Sequence, residues 1–66
     1  MSRNDAVEIA AEVLFETENA IKCDTGDPDP VWIPKSQIME WSEVWGEGDS
    51  GVLVIPEWLA LEKALI

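Results

Sequence analysis

Residues 6–17 alternate between apolar and acidic side chains, and few folds accommodate such a segment. The apolar residues stand at odd positions and the acidic ones at even positions: Val7, Ile9, Ala11, Val13 and Phe15 against Glu8, Glu12, Glu16 and Glu18. A period of two predicts a strand with one buried face. A helix is the alternative, because acids also recur at spacings of three and four and because Ala and Glu favour helices. The run from Val13 to Phe15 favours the strand.

Short apolar runs separated by turn-forming residues continue along the chain. Asn19 tolerates the backbone of a tight turn, so Glu18-Asn19 predicts a hairpin tip before a returning strand at residues 20–23. Residues 24–30 contain two prolines, a glycine and three acids, which predict a loop. The later predicted elements are strands at 31–33, 38–45 and 52–55, a turn at 46–51, and a helix that begins near Pro56.

These elements predict one small α+β domain over residues 1–66. The expected architecture is a five-stranded antiparallel sheet or small open barrel with one C-terminal α-helix. A chain of 66 residues buries only about 60% of the surface that its unfolded form exposes. Large apolar side chains therefore matter for its core.

The four tryptophans are the largest of these side chains. We expect Trp32 and Trp58 in the core, together with Ile38, and we expect Trp58, Leu61 and Leu65 to form the buried face of the helix. Trp41 and Trp45 share one face of the predicted fourth strand with Glu43. A charged residue on that face indicates that the face is partly open, so one of these tryptophans is expected to be available to a partner.

Fourteen acidic residues against four basic ones give the chain a formal charge of −10. Such a charge repels nucleic acids and anionic membrane surfaces, so basic protein surfaces are the expected partners and direct nucleic-acid or membrane binding is not expected. The chain has no His and a single cysteine, Cys23, which excludes a histidine-based triad and an internal disulfide. Without a nucleophile–base–orienter set, we expect no enzymatic activity and no cofactor.

Two motif-like stretches do not fit the chemistry that they resemble. Gly46-Glu47-Gly48-Asp49-Ser50-Gly51 has dinucleotide-binding spacing, but a strand rather than a helix is predicted after it, and its acids repel phosphate. The acids of residues 24–29 lack the spacing of a calcium loop, so no metal site is expected. The longest apolar run, residues 52–55, is too short for a membrane helix, and no signal peptide is visible, which predicts a cytosolic protein.

The carboxylates are the remaining candidate site. Side chains two residues apart on one strand face lie roughly 6.6 Å apart, so the acids of residues 8–18 would form a row. DNA carries one phosphate per about 3.4 Å along each strand, and a surface of comparable charge density is able to occupy a groove built for DNA. The alternative is a solvated surface that only keeps the protein soluble. The full candidate set is Glu8, Glu12, Glu16, Glu18, Asp24, Asp27, Asp29, Glu40, Glu43, Glu47 and Asp49.

Two segments of the chain resemble a group of small phage and prophage proteins of unassigned activity: Val-Trp-Ile-Pro-Lys-Ser-Gln-Ile at residues 31–38 and Val-Leu-Val-Ile-Pro-Glu-Trp-Leu-Ala at residues 52–60. In length and acidity, the chain also resembles anti-CRISPR proteins, in particular small inhibitors of type I-C systems, over most of residues 6–65.

The resemblance implies an inhibitor made by a mobile element and active in the bacterial cytoplasm. It would bind the CRISPR surveillance complex and block target DNA by mimicry, most directly on the large subunit that recognises the PAM. It implies no catalytic residues. The alternative is a small prophage-encoded structural or regulatory module whose acids are only solubilising.

Overall fold

A computed structural model describes residues 5–66. The strands are β1 (Ala6–Glu16), β2 (Ala20–Asp24), β3 (Val31–Pro34) and β4 (Ser50–Pro56), followed by the helix α1 (Glu57–Glu62). A single 3₁₀ turn, Lys35–Gln37, follows β3. The strands form one curled antiparallel sheet, a half-barrel in the order β3-β2-β1-β4. The α+β class, the antiparallel sheet and the C-terminal helix are confirmed, but residues 5–66 contain four strands rather than five.

The central strand β1 follows the alternation over most of its length. Ala11 and Val13 are buried on the side that faces the core, whereas Glu8 and Glu12 are exposed on the opposite side, which we call the outer face. β4 pairs with residues 6–12 of β1 and β2 pairs with residues 12–16, so the whole segment is part of the sheet. The strand prediction is therefore right, and the helix alternative is wrong.

A β-bulge at Leu14 interrupts the alternation. Val13 pairs with Cys23 and Phe15 pairs with Lys22, so Leu14 has no partner on β2. The extra residue moves Phe15 to the outer face, where its side chain is 53% exposed. The expectation that Phe15 shares the buried face with Val13 is thus wrong, because a one-residue insertion in a strand exchanges the two faces beyond it.

The predicted fourth strand, residues 38–45, is an irregular segment that lies beside β4. The amide of Met39 donates to the carbonyl of Val54 at 2.9 Å, but the amide of Val54 donates to the Ser42 hydroxyl at 3.2 Å rather than to a backbone carbonyl. A turn in which the amide of Ser42 donates to the carbonyl of Met39 bends the chain within this segment. Side chains therefore replace the backbone groups that a fifth strand would have supplied.

The core lies between the inner face of the sheet, the irregular segment and α1. Its buried members are Ala11, Val13, Ile21, Cys23, Ile33, Ile38, Val44, Leu53, Ile55, Leu59 and Ala60. Ile38 is in the core as predicted. The core contains no tryptophan.

The tryptophan predictions are wrong for Trp32 and Trp58. Trp32 is 39% exposed because its neighbours Val31 and Ile33 face the core and successive side chains of a strand point to opposite sides. Trp58 is 47% exposed. The other two tryptophans, Trp41 and Trp45, are also exposed.

The helix α1 buries a face other than the predicted one. Leu59 and Ala60 are buried, whereas Trp58 and Leu61 are exposed. The helix has only six residues and begins directly after β4, so the path of the chain out of β4 sets its orientation. Leu65 packs against the core from beyond the helix. Within residues 5–66, no helix has the length and apolarity that a membrane span requires.

A Schellman motif ends α1. The amide of Leu65 donates to the carbonyl of Ala60 at 2.8 Å, and the amide of Ala64 donates to the carbonyl of Leu61 at 3.1 Å. Ala64 has a φ of 59°, a left-handed conformation that glycine usually supplies at this position. The reversal brings Leu65 back onto the core.

Candidate functional site

Two carboxylates face each other on the outer face of the sheet. Glu12 on β1 is directly opposite Asp24 on β2, and Ser50 on β4 lies on the other side of Glu12. Residues opposite each other in an antiparallel pair have Cβ atoms about 5 Å apart. Both carboxylates are exposed, and the only ion pair formed among residues 5–66 is that between Lys35 and Glu16. We call Glu12 and Asp24 the acidic pair.

The acidic pair borders an open depression on the outer face. Small residues, among them Ala10 and Gly51, form part of its lining, and the Val52 side chain adds apolar surface. The lining residues are Ala10, Ala11, Glu12, Asp24, Thr25, Gly26, Ser50, Gly51 and Val52. A shallow apolar floor with two carboxylates beside it suits a long side chain that ends in a cation, because such a side chain packs its aliphatic stem and keeps its charged end at the acids.

Further acids extend the negative surface from both members of the acidic pair. Glu8 lies on the same face of β1 as Glu12, about 13 Å along the strand. Asp27 and Asp29 are exposed in the loop that begins where β2 ends, at Asp24. The Oδ1 atom of Asp24 accepts a 2.9 Å hydrogen bond from the amide of Gly26. This hydrogen bond orders the start of the loop.

The predicted row does not continue to Glu16 and Glu18. Beyond the bulge, the Glu16 carboxylate accepts hydrogen bonds from the Lys35 ammonium and, at 3.1 Å, from the amide of Glu47. These two donors and the positive charge of Lys35 hold the pKa of Glu16 below its ordinary value. Glu16 thereby joins β1 to two neighbouring loops. Glu18 lies in the turn between β1 and β2.

Two acids of the second predicted cluster are also bound within the fold. Glu43 Oε1 accepts a 2.8 Å hydrogen bond from the amide of Val52. Asp49 Oδ2 accepts hydrogen bonds from the amides of Trp45 and Gly46 at 2.9 and 3.0 Å, and these donors lower the pKa of Asp49. The remaining members, Glu40 and Glu47, are exposed and lie outside the sheet. The eleven candidate acids are therefore spread over several parts of the molecule.

An aromatic row crosses three strands of the outer face beside the acidic pair. The pairing aligns Phe15 with Lys22 and Lys22 with Trp32. The rings of Phe15 and Trp32 meet edge to face, with centroids 6.3 Å apart and an interplanar angle of 89°. The Lys22 ammonium lies 5.9 Å from the Trp32 ring centroid. We call Phe15, Lys22 and Trp32 the aromatic row.

The sequence-based site did not include the aromatic row. Phe15 reaches the outer face only because of the bulge, and no turn-forming residue marks that bulge in the sequence. Trp32 could have been placed correctly, because it stands between two apolar residues on a short strand and therefore faces away from them.

Proline residues at β3 and side-chain contacts at β4 protect the two outer strands of the sheet. At the β3 edge, the amide of Lys35 donates to the carbonyl of Asn19 at 2.8 Å, so by alternation the amides of residues 31 and 33 also face β2. The outward positions are Pro30, Trp32 and Pro34, of which only Trp32 has an amide to donate. At the β4 edge, residues 39–43 occupy the backbone groups of Val52 and Val54. These contacts disfavour the addition of a strand at β3 and at β4. Within residues 5–66, residues 6–11 of β1 pair with β4 on one side and with no strand on the other.

The one cysteine is not part of this surface. Cys23 is fully buried on the inner side of β2, and burial raises the pKa of its thiol from 9.0 to about 11. Within residues 5–66, no three carboxylate or thiol groups converge as the ligands of a metal ion would. The outer face therefore offers charge, a shallow depression and exposed aromatic rings.

Comparisons of the chain with models of known protein families, with curated proteins and with solved structures found no match in any of the three.

Proposed function

We propose that this protein is a stoichiometric inhibitor that occupies a basic, DNA-binding groove of another protein. The observation that carries the proposal is the acidic pair, Glu12 and Asp24, which forms no ion pair within residues 5–66 and borders an open depression. Together with Glu8, Asp27 and Asp29, it presents carboxylates that, within residues 5–66, form no hydrogen bond to a separate strand or helix, since Asp24 and Asp27 accept only from residues of the adjoining loop. Carboxylates on a rigid sheet have fixed spacings, as do the phosphates of a DNA duplex.

The electrostatics of the whole chain support the same partner class. A charge of −10 on 66 residues steers the protein toward positive surfaces and accelerates encounters with them. Lysine and arginine side chains that normally neutralise phosphates would neutralise these carboxylates instead. The inhibitor would then compete with DNA directly.

The resemblance to small acidic anti-CRISPR proteins supplies the particular partner. We propose a type I-C CRISPR surveillance complex in the bacterial cytoplasm, bound on the large subunit that recognises the PAM. Binding there would prevent the complex from engaging its target. No catalytic step and no cofactor are required.

A triple substitution on the outer face tests the proposal. Glu8→Gln, Glu12→Gln and Asp24→Asn remove three charges while keeping side-chain size. In a target-DNA binding assay with purified type I-C complex, the wild-type protein is expected to exclude DNA. The triple variant is expected to bind the complex more slowly and with a weaker dependence on salt.

The matched control is Glu40→Gln, Glu47→Gln and Glu62→Gln, which removes the same charge from positions outside the sheet. If both triple variants exclude DNA as well as the wild type does, mimicry through the outer face is wrong. If the wild-type protein does not bind the complex at all, the alternative of a small structural or regulatory module with solubilising acids is favoured.

A further inference from the structure

We propose that the aromatic row is a docking surface for arginine side chains of a basic protein partner. This inference rests on the proposed function, since it concerns the same face and the same class of partner. It adds a chemical preference that charge alone does not explain: arginine over lysine. The elements that carry it are the exposed rings of Phe15 and Trp32 and their position beside the acidic pair.

The aromatic row and the acidic pair occupy consecutive positions on the same face. Lys22 and Asp24 are two residues apart on β2, which places their side chains roughly 6.6 Å apart on one side of the strand. On β1, Phe15 follows Glu12 on that side because of the bulge at Leu14. A partner side chain that lies across Trp32 therefore has the carboxylates of the acidic pair within reach of its charged end.

The position of Lys22 shows that a cation is accommodated against the Trp32 ring. Its ammonium lies 5.9 Å from the ring centroid, close to the outer limit of about 6 Å for such contacts. A guanidinium is planar, is more weakly hydrated than an ammonium and stacks on aromatic faces. It also binds a carboxylate through two parallel hydrogen bonds. Arginine thus both stacks on the aromatic rings and binds the carboxylates through paired hydrogen bonds, whereas lysine mainly neutralises the charge of the carboxylates.

The occupant is a basic partner rather than a second copy of this chain. Two copies that met through this face would bring together two acidic pairs, on molecules that each carry a charge of −10. Pairing of two copies through the outer strands is also disfavoured, because Pro30 and Pro34 protect β3 and residues 39–43 cover β4. A partner of opposite charge relieves the repulsion that a second copy would increase.

Arginine and lysine homopeptides of equal length are suitable probes. We expect the arginine peptide to bind the wild-type protein more tightly than the lysine peptide, by up to about fivefold. About fivefold is the full effect of one exposed cation–π contact, and lysine, which also makes such contacts, keeps part of it. In NMR spectra, the indole Nε1–H of Trp32 should shift most among the four tryptophans when the arginine peptide is added.

Trp32→Leu removes the ring and is expected to reduce the ratio to about one, with a larger loss of affinity for the arginine peptide than for the lysine peptide. Trp58→Leu is the matched control, an exposed tryptophan on the helix whose loss should leave the ratio as it is. If Trp32→Leu does not fold, two other measurements test the inference. They are the shift of the Trp32 indole in the wild-type protein and the ratio of arginine-peptide to lysine-peptide affinity in Lys22→Gln. Lys22→Gln vacates the ring face and should keep or raise the preference for arginine.

Equal affinity of the wild-type protein for the two peptides would overturn the inference, as would an arginine preference that survives in a folded Trp32→Leu variant. Loss of a dimer on that substitution, measured by light scattering, would assign the row to self-association instead. The DNA-exclusion assay separates this inference from the proposed function. Inhibition without an arginine preference rejects only the role of the aromatic row, and an arginine preference without inhibition rejects only the function.

Discussion

Glu12 and Asp24 stand directly opposite each other across β1 and β2, and neither carboxylate has an ion-pair partner among residues 5–66. Like charges at opposite positions of a sheet destabilise it. The isolated protein therefore maintains a local repulsion that a bound cation would relieve.

Neutralising one member of the acidic pair should stabilise the fold. We expect Glu12→Gln to raise the free energy of unfolding by a few tenths of a kcal/mol at low salt, because the repulsion from Asp24 is lost. The gain should shrink in high salt, where surface charges are screened. Thermal unfolding at two salt concentrations measures both effects. Glu18→Gln, in the turn after β1, is the control with the same charge change, and a lower melting temperature for Glu12→Gln would contradict the argument.

Neighbouring residues of α1 should respond very differently to truncation. Leu59 is buried and Trp58 is 47% exposed. We expect Leu59→Ala to cost about 2–5 kcal/mol, enough to unfold much of so small a domain, and Trp58→Ala to cost roughly 1–2 kcal/mol. Urea unfolding followed by circular dichroism gives both values. A larger loss for Trp58→Ala than for Leu59→Ala would show that the helix packs through its other face.

The end of α1 offers a stabilising substitution. Ala64 has a φ of 59°, which costs an L-residue roughly 1–2 kcal/mol and costs glycine almost nothing. Ala64→Gly should therefore raise the free energy of unfolding by about 0.5–1 kcal/mol, after allowance for the greater freedom of glycine in the unfolded chain. The control is Ala60→Gly, at a buried helical position, which should destabilise the protein. Equal changes in the free energy of unfolding for the two variants would argue against a left-handed conformation at Ala64.

The Glu16 carboxylate should make stability depend on acidity. Its pKa is lowered by the hydrogen bond from Lys35, by the amide of Glu47 and by the charge of Lys35. A carboxylate with a lowered pKa stabilises the fold fully above its ordinary pKa of 4.5, and this contribution disappears as the pH falls through the folded-state value.

Glu16→Gln should accordingly lower the melting temperature at neutral pH, and the difference from the wild type should vanish in acid. Glu40→Gln, at an exposed position outside the sheet, is the control and should show no such convergence. A pH-independent difference for Glu16→Gln would mean that packing, and not charge, accounts for the loss. Packing is tight there, since a Cβ atom added to Gly46 would lie 2.8 Å from Glu16 Oε1.

The thiol of Cys23 should be unreactive in the folded protein. Burial raises its pKa to about 11, so at pH 8 about one thiol in a thousand is ionised, and the side chain is inaccessible as well. Labelling with a thiol reagent should be slow in buffer and fast in denaturant. Rapid labelling under native conditions would indicate that β2 opens easily.

Much of the secondary structure could be predicted from local patterns. The strand at residues 6–16, the hairpin tip at Asn19, the loop before β3, the last strand and the helix after Pro56 all follow from alternation and from turn-forming residues. The segment 38–45 was the exception. Its apolar residues have the pattern of a strand. However, the side chains of Ser42 and Glu43 accept hydrogen bonds from the amides of β4, and no local sequence pattern predicts this use of side chains.

The sequence by itself determined the class of the fold, the strongly negative charge and the presence of many carboxylates. Only the tertiary structure decided which carboxylates link distant parts of the fold. Glu16 and Glu43 bind backbone amides or Lys35 elsewhere in the chain, whereas Glu12 lies opposite Asp24, whose one hydrogen bond is to the nearby amide of Gly26. The tertiary structure also placed Phe15 beside Trp32 through one extra residue in β1. The physical reason is that alternation reports burial along a single strand, whereas register, bulges and hydrogen bonds between distant residues depend on how separate strands meet.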